Sequence, residues 1–186
     1  MKKIFLVPSL VLLLAACSTE TEIDQKESGL QTYQSSAYGF EFQFSDEWIL
    51  DSTSFENQIV SLVLEKSAYE GTNVSSASFI VGVQPEESLE ACLSEDINAA
   101  MAEPFSTDHF EIVNGLTYYI TSGGEGSAGP DYSARFKRAY REGQCFEIVE
   151  GMFSQNIGFY GSDTTDAVDD VWARLDSIFQ SFSFES

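Results

Sequence analysis

From Tyr38 onward the chain turns strongly periodic: Phe40, Phe42 and Phe44 alternate with Glu41 and Gln43. Successive side chains of a strand point to opposite faces, so this spacing predicts a strand with one buried and one wet face. Trp48 and Ile49 follow after an acidic turn, and Ile59 to Leu64 and Ser78 to Val83 have the β-branched, aliphatic content of further strands. Phe110 to Val113 and Leu116 to Thr121 flank Asn114-Gly115, a pair that tolerates the positive φ of a type I′ hairpin turn. Two more strands are predicted over about Tyr132 to Tyr140 and Cys145 to Phe153, joined at Glu142-Gly143, and Phe182 and Phe184 alternate again near the end.

Two helices are predicted between these runs. Pro85, followed by Glu86 and Glu87, suits a helix start, and Leu89, Cys92, Leu93, Ile97, Ala100 and Met101 recur at spacings of three and four before Pro104. Asp163 is placed to cap a second helix running to about Gln180, with Val168, Val171, Trp172, Leu175, Ile178 and Phe179 on one face. Hairpin-linked strands with two distant helices predict the α+β class, an antiparallel β-sheet flanked by helices.

The first residues describe transport. Met1-Lys2-Lys3 is a short positive start, and Ile4 to Ala16 is an uncharged, largely apolar run closed by small residues. That run is too short for a spanning helix, which needs roughly 20 apolar residues. Leu14-Ala15-Ala16-Cys17 resembles the lipobox of bacterial lipoproteins. The resemblance implies removal of residues 1–16 and lipidation at Cys17, with two or three acyl chains giving a stable anchor where one would hold marginally. It also implies an extracytoplasmic, membrane-anchored location. Where there are two membranes, Ser18 after the cysteine favours the outer one, facing the periplasm.

The leader holds two of the nine Lys and Arg and no acid, so the 170 residues after it carry seven cations against 30 acids, a net charge of −23. Nucleic acid is therefore an unsuitable partner, because its binding rests on neutralising phosphates. Such acidity speaks first of solubility. Residues 17–36 are polar, with only Ile23, Leu30 and Tyr33 as sizeable apolar groups, and are expected to be a flexible tether before a single domain over 37–186. Export places Cys92 and Cys145 where disulfides persist. They either form one or remain as small buried hydrophobes.

Tyr38-Gly39-Phe40-Glu41-Phe42-Gln43-Phe44 with Trp48, together with Ile178-Phe179-Gln180-Ser181-Phe182-Ser183-Phe184, is similar to the PsbP-like family. The family's namesake is an extrinsic photosystem II subunit, and its bacterial relatives include many lipoproteins. The resemblance implies an α/β/α sandwich about a central antiparallel sheet. It transfers no functional residue, and Asp46-Glu47 stands where members often carry a proline before the Trp.

Several segments invite chemistry. Gly124-Glu125-Gly126-Ser127-Ala128-Gly129 fits G-x-G-x-x-G, but a dinucleotide loop must leave a strand and open a helix, and here Pro130-Asp131 and a strand follow. No cofactor is expected. His109 is the only histidine, and neither a G-x-S-x-G nor a Cys-His signature occurs, so no catalytic or metal residue is assigned. Asp163, Asp166, Asp169 and Asp170 crowd a helix start, where the dipole favours acids without any bound calcium. Arg135-Phe136-Lys137-Arg138-Ala139-Tyr140-Arg141 holds four of the seven cations. Strand alternation sends Arg135, Lys137 and Arg141 to one face, either as a docking patch or paired with neighbouring carboxylates. As a docking patch, it should tolerate reversal of all three charges with little change in melting temperature.

The expectation is a non-catalytic binding or accessory module of the cell envelope, held to the membrane through Cys17 and meeting an envelope protein or small ligand. The alternative is an envelope hydrolase using paired carboxylates. A pocket holding two perturbed carboxylates would favour the enzyme, and a shallow aromatic groove the binder.

Overall fold

The computed structural model describes residues 21–25, 29–51, 57–94, 104–125, 130–155 and 167–185. The alternating phenylalanines form strand β3 (Phe40–Ser45), and Phe40, Phe42 and Phe44 are all buried. A turn at 36–39, with Gly39 at φ 63°, joins β3 to β2 (Leu30–Ser35), so that Tyr33 lies opposite Phe42. Strand β1 (Thr21–Gln25) pairs with the far edge of β2, Thr21 opposite Ser35. The late strand β11 (Ser183–Phe184) pairs with β3, Phe184 opposite Phe40. These make a four-stranded antiparallel sheet in the order β1-β2-β3-β11.

The second sheet is larger. Its seven antiparallel strands are β4 (Trp48–Leu50), β5 (Gln58–Leu64), β6 (Val74–Pro85), β7 (Phe110–Val113), β8 (Leu116–Glu125), β9 (Pro130–Arg141) and β10 (Gln144–Gln155). They run in the order β4-β5-β6-β10-β9-β8-β7. Asn114 (φ 48°) and Gly115 (φ 84°) turn β7 into β8, and Glu142 (φ 53°) and Gly143 (φ 80°) turn β9 into β10. Both pairs have the two left-handed residues that a type I′ turn requires.

The core lies on one face of this large sheet, covered by the small sheet and, beside it, helix α2 (Val168–Ser181). Val171, Leu175, Ile178 and Phe179 form the buried stripe of α2, at the spacing of one helical face. Ser181 ties the helix to β3, its Oγ accepting from the Gln43 N–H at 2.8 Å. Aromatic rings bridge the layers: Phe42 meets Phe79 at 5.4 Å, Phe40 meets Phe146 edge-on at 6.3 Å, and Phe182 stacks on Phe40 at 5.0 Å. Each buried phenylalanine stabilises by about 1.5–3 kcal/mol. Tyr118 is buried edge-on to Phe179, its hydroxyl without a hydrogen-bond partner among the described residues, and burial pushes its phenol pKa up. An unsatisfied buried hydroxyl costs roughly 1–3 kcal/mol. Tyr118→Phe is therefore expected to leave the urea midpoint unchanged or raise it, by about 1 kcal/mol of stability.

The other face of the large sheet carries the short helix α1 (Leu89–Ser94), where Ser88 Oγ accepts from the Ala91 N–H at 3.1 Å. Pro85 does not open this helix; it is the last residue of β6.

The α+β expectation, an α/β/α sandwich around one sheet, is corrected: the protein is mostly β, with two antiparallel sheets and, among the described residues, two α-helices. The physical reason is in the alternation itself. Exposed Gln43 and half-buried Glu41 mark a second wet sheet face, so β3 and β11 build a layer of their own instead of extending the large sheet. That layer occupies part of the face expected to hold helices. Residues 21–25 and 30–35, read as part of a tether, are strands β1 and β2, with Tyr33 and Ser35 of β2 buried.

Candidate functional site

Strand β9 carries most of the cations, and its pleat sends Arg135, Lys137 and Arg141 toward the core side, as their spacing predicts. None of them forms an open patch. Lys137 is 2% exposed, and its Nζ donates to Glu150 Oε1 at 2.7 Å and lies 3.6 Å from the centre of the Phe179 ring. Glu150 comes from the neighbouring β10 and is wholly buried, its Oε2 without a hydrogen-bond partner among the described residues. Burial pushes the Glu150 carboxyl above the usual carboxylate range, and the Lys137 charge and hydrogen bond oppose that rise. Asp176 of α2 stands at the rim of the cluster. One of its oxygens is 3.6 Å from Lys137 Nζ, and Arg135 donates to both at 2.9 and 3.1 Å while lying over the Trp172 ring. Arg141 donates to Glu142 at 3.4 Å and to the Glu185 carbonyl at 3.3 Å and covers the Phe184 ring.

The docking patch of Arg135, Lys137 and Arg141 is thus corrected. The seven-stranded sheet and α2 close over its middle member, and the charge buried there is met by Glu150. Reversing all three charges would set a second carboxylate against Glu150, so the expectation of an unchanged melting temperature is withdrawn.

On the opposite face Arg138 donates to Glu147 at 2.6 Å and to the Cys92 carbonyl at 2.7 Å. Cys92 of α1 and Cys145 of β10 are joined by a disulfide, with Cα atoms 5.3 Å apart. Together these bonds fasten α1 to the outer face of the sheet.

The remaining sequence candidates stay apart. Gly124 lies inside β8 opposite Ser133, and the chain returns as β9 from Pro130, so the glycine-rich segment joins two strands of a hairpin; 126–129 lie outside the described residues. Gly124 is needed for packing, because a Cβ there would run into the Tyr132 carbonyl of the backbone. Gly124→Ala is accordingly expected to cost roughly 1–3 kcal/mol, measured by thermal melting, as overpacking does. His109 is exposed in the turn before β7. Asp169 and Asp170 are exposed in the first turn of α2, whereas Asp163, Asp166 and Cys17 lie outside the described residues. Asp163 is not the cap of α2: the helix begins after Ala167, whose N–H donates to Asn73 Oδ1 at 3.0 Å.

Sequence reasoning missed Glu150 and Asp176. The signal for Glu150 was present, since Phe146, Ile148 and Met152 alternate and place residue 150 on the same inward face.

Two surface grooves complete the candidates. One, of about 240 Å³, runs between β3 and α2 with Leu30, Phe44, Trp48 and Ile178 as its apolar lining and Arg174 at its side. Arg174 is held by Glu47 at 2.6 Å and Asp170 at 2.8 Å. The other, of about 280 Å³, is more polar and lies at the hairpin ends beside Tyr38, Arg141, Glu142 and Glu185.

No family model matches the chain, and no curated protein matches it. Among solved structures it is similar to a crystal structure from Bacteroides thetaiotaomicron VPI-5482, at 8% identity and a TM-score of 0.47, over 80% of this chain and 46% of that one. The chain spans about half the length of that protein, and a likeness so distant assigns it neither fold nor activity.

Proposed function

We propose that the chain is an exported lipoprotein, anchored through Cys17 at the extracytoplasmic face of a membrane, whose domain is a non-catalytic binding or accessory module. The observation that most supports the binding role is where the carboxylates lie. Among the described residues two pairs of acids share a cation: Glu150 and Asp176 meet on Lys137, with Glu150 sealed in the core where no substrate reaches it, and Glu47 and Asp170 are both neutralised by Arg174 at 2.6 and 2.8 Å. The two grooves described above, of about 280 and 240 Å³, lie below the roughly 300–1,000 Å³ typical of small-molecule sites, a size that suits a side chain of a protein partner. No described helix is long and apolar enough to cross a membrane.

Cells making the full chain should incorporate labelled palmitate into it, and Cys17→Ser should lose the label and leave the membrane fraction. Unlabelled, freely soluble wild-type protein would refute the anchor. Crosslinking in the native membrane, with and without Leu30→Glu at an exposed position of the groove beside α2, tests the role: a partner captured by the wild type and lost in a variant of unchanged melting temperature supports that groove.

A further inference from the structure

We propose that Lys137 and Glu150 are joined by an intramolecular isopeptide bond that forms after folding, with Asp176 as the catalytic carboxyl. The inference is independent of where the chain resides. Lys137 pairs across with Ile148 and Arg135 with Glu150, so the register sets Lys137 and Glu150 diagonally on one face of adjacent strands. Nζ is already 2.7 Å from Oε1, which puts the carboxyl carbon, one bond behind it, near the roughly 3–3.5 Å of a near-attack geometry. Effective concentrations in such fixed pairs reach about 10⁵ M or more, enough to drive a condensation that is negligible between free side chains.

The surroundings favour the acid form of Glu150. Amide formation consumes a carboxylic acid, whereas in water the group is a carboxylate. Here burial pushes the Glu150 carboxyl above the usual carboxylate range, with the Lys137 nitrogen held against it at 2.7 Å. Glu150 also offers Oε2 no partner among the described residues, a costly arrangement for a buried carboxylate. Expelling one carboxyl oxygen as water removes that cost.

The step balances without a co-reactant. The amine nitrogen attacks Cδ of the protonated Glu150 carboxyl, the C–N bond forms, the C–OH bond breaks, and the hydroxyl leaves with a proton from the nitrogen as one water. Asp176, 3.6 Å from Nζ and held by Arg135, accepts the nitrogen's proton and passes one to the departing hydroxyl. Nothing is oxidised or reduced.

The full chain, purified folded and then reduced, denatured and digested, decides the matter by mass spectrometry. The expected result is a branched peptide carrying Lys137 and Glu150, lighter than its two linear parts by the mass of one water and absent from Lys137→Met. Recovery of Lys137 only on a linear peptide, open to amine-reactive label after denaturation, would overturn the proposal. Should Lys137→Met fail to fold, the wild-type digest alone still gives the answer. Asp176→Asn, at a partly exposed position, should fold and form the link about a hundredfold more slowly in a pulse-chase of newly made chain, and a rate equal to that of the wild type would remove Asp176 from the mechanism.

Discussion

Replacing Lys137 by Met is expected to lower the unfolding free energy by roughly 3–5 kcal/mol for the Glu150 carboxyl it leaves unpaired in the core, in addition to what the cross-link contributes. The origin is specific. Glu150 is fully buried, and Lys137 provides its hydrogen bond at 2.7 Å. In the single variant the carboxyl must stay ionised without compensation or take up a proton, and both weaken the fold at neutral pH. A second substitution separates this effect from mere loss of packing. Lys137→Met with Glu150→Leu removes the stranded carboxyl and should be clearly more stable than the single variant, since apolar replacements of buried pairs are often neutral or better. Urea unfolding of wild type, single and double variants measures the coupling, and a double variant weaker than the single would contradict this account. The double variant should still fall short of wild type by what the cross-link contributes. For the 13-residue separation of the two side chains, that is about 3 kcal/mol in a loop-closure model.

Breaking the Cys92–Cys145 bridge, by reductant or by Cys92→Ala with Cys145→Ala, should cost about 4 kcal/mol, because it closes a loop of 53 residues. For a domain of this size the melting temperature should fall by roughly 8–16 °C. The loss should be concentrated around α1, whose other attachments are the hydrogen bonds of Arg138 to the Cys92 carbonyl and of Tyr140 to the Glu87 carbonyl. Hydrogen exchange at 89–94 measured with and without reductant checks this. Uniform loss of protection across the large sheet would mean that the bridge holds the fold as a whole.

Individual strands were legible in the residues because alternation is a local property. Phe40, Phe42 and Phe44 could bury one face only as a strand, Asn114-Gly115 adopts the left-handed turn its composition suggests, and Glu142-Gly143 joins two strands as expected. What local pattern cannot carry is which strands share a sheet. The pairing of Phe184 with Phe40 spans 144 residues, and nothing near either residue announces the other. The same holds for the charge cluster: the four cations of β9 were plain, but their partners Glu150 and Asp176 come from β10 and α2. β2 was missed for a different reason, since of its residues only Tyr33 and Ser35 are buried, too faint a stripe to stand out from a polar run.

The late position of β11 governs when the body can close. Phe182 is fully buried against Phe40, and Ser183 and Phe184 complete the edge beside β3. A nascent chain emerging from the ribosome therefore keeps its aromatic interior uncapped until these residues have been made. Export of the kind proposed would demand an unfolded polypeptide, and a fold that waits on residues 182–184 stays threadable until they are made.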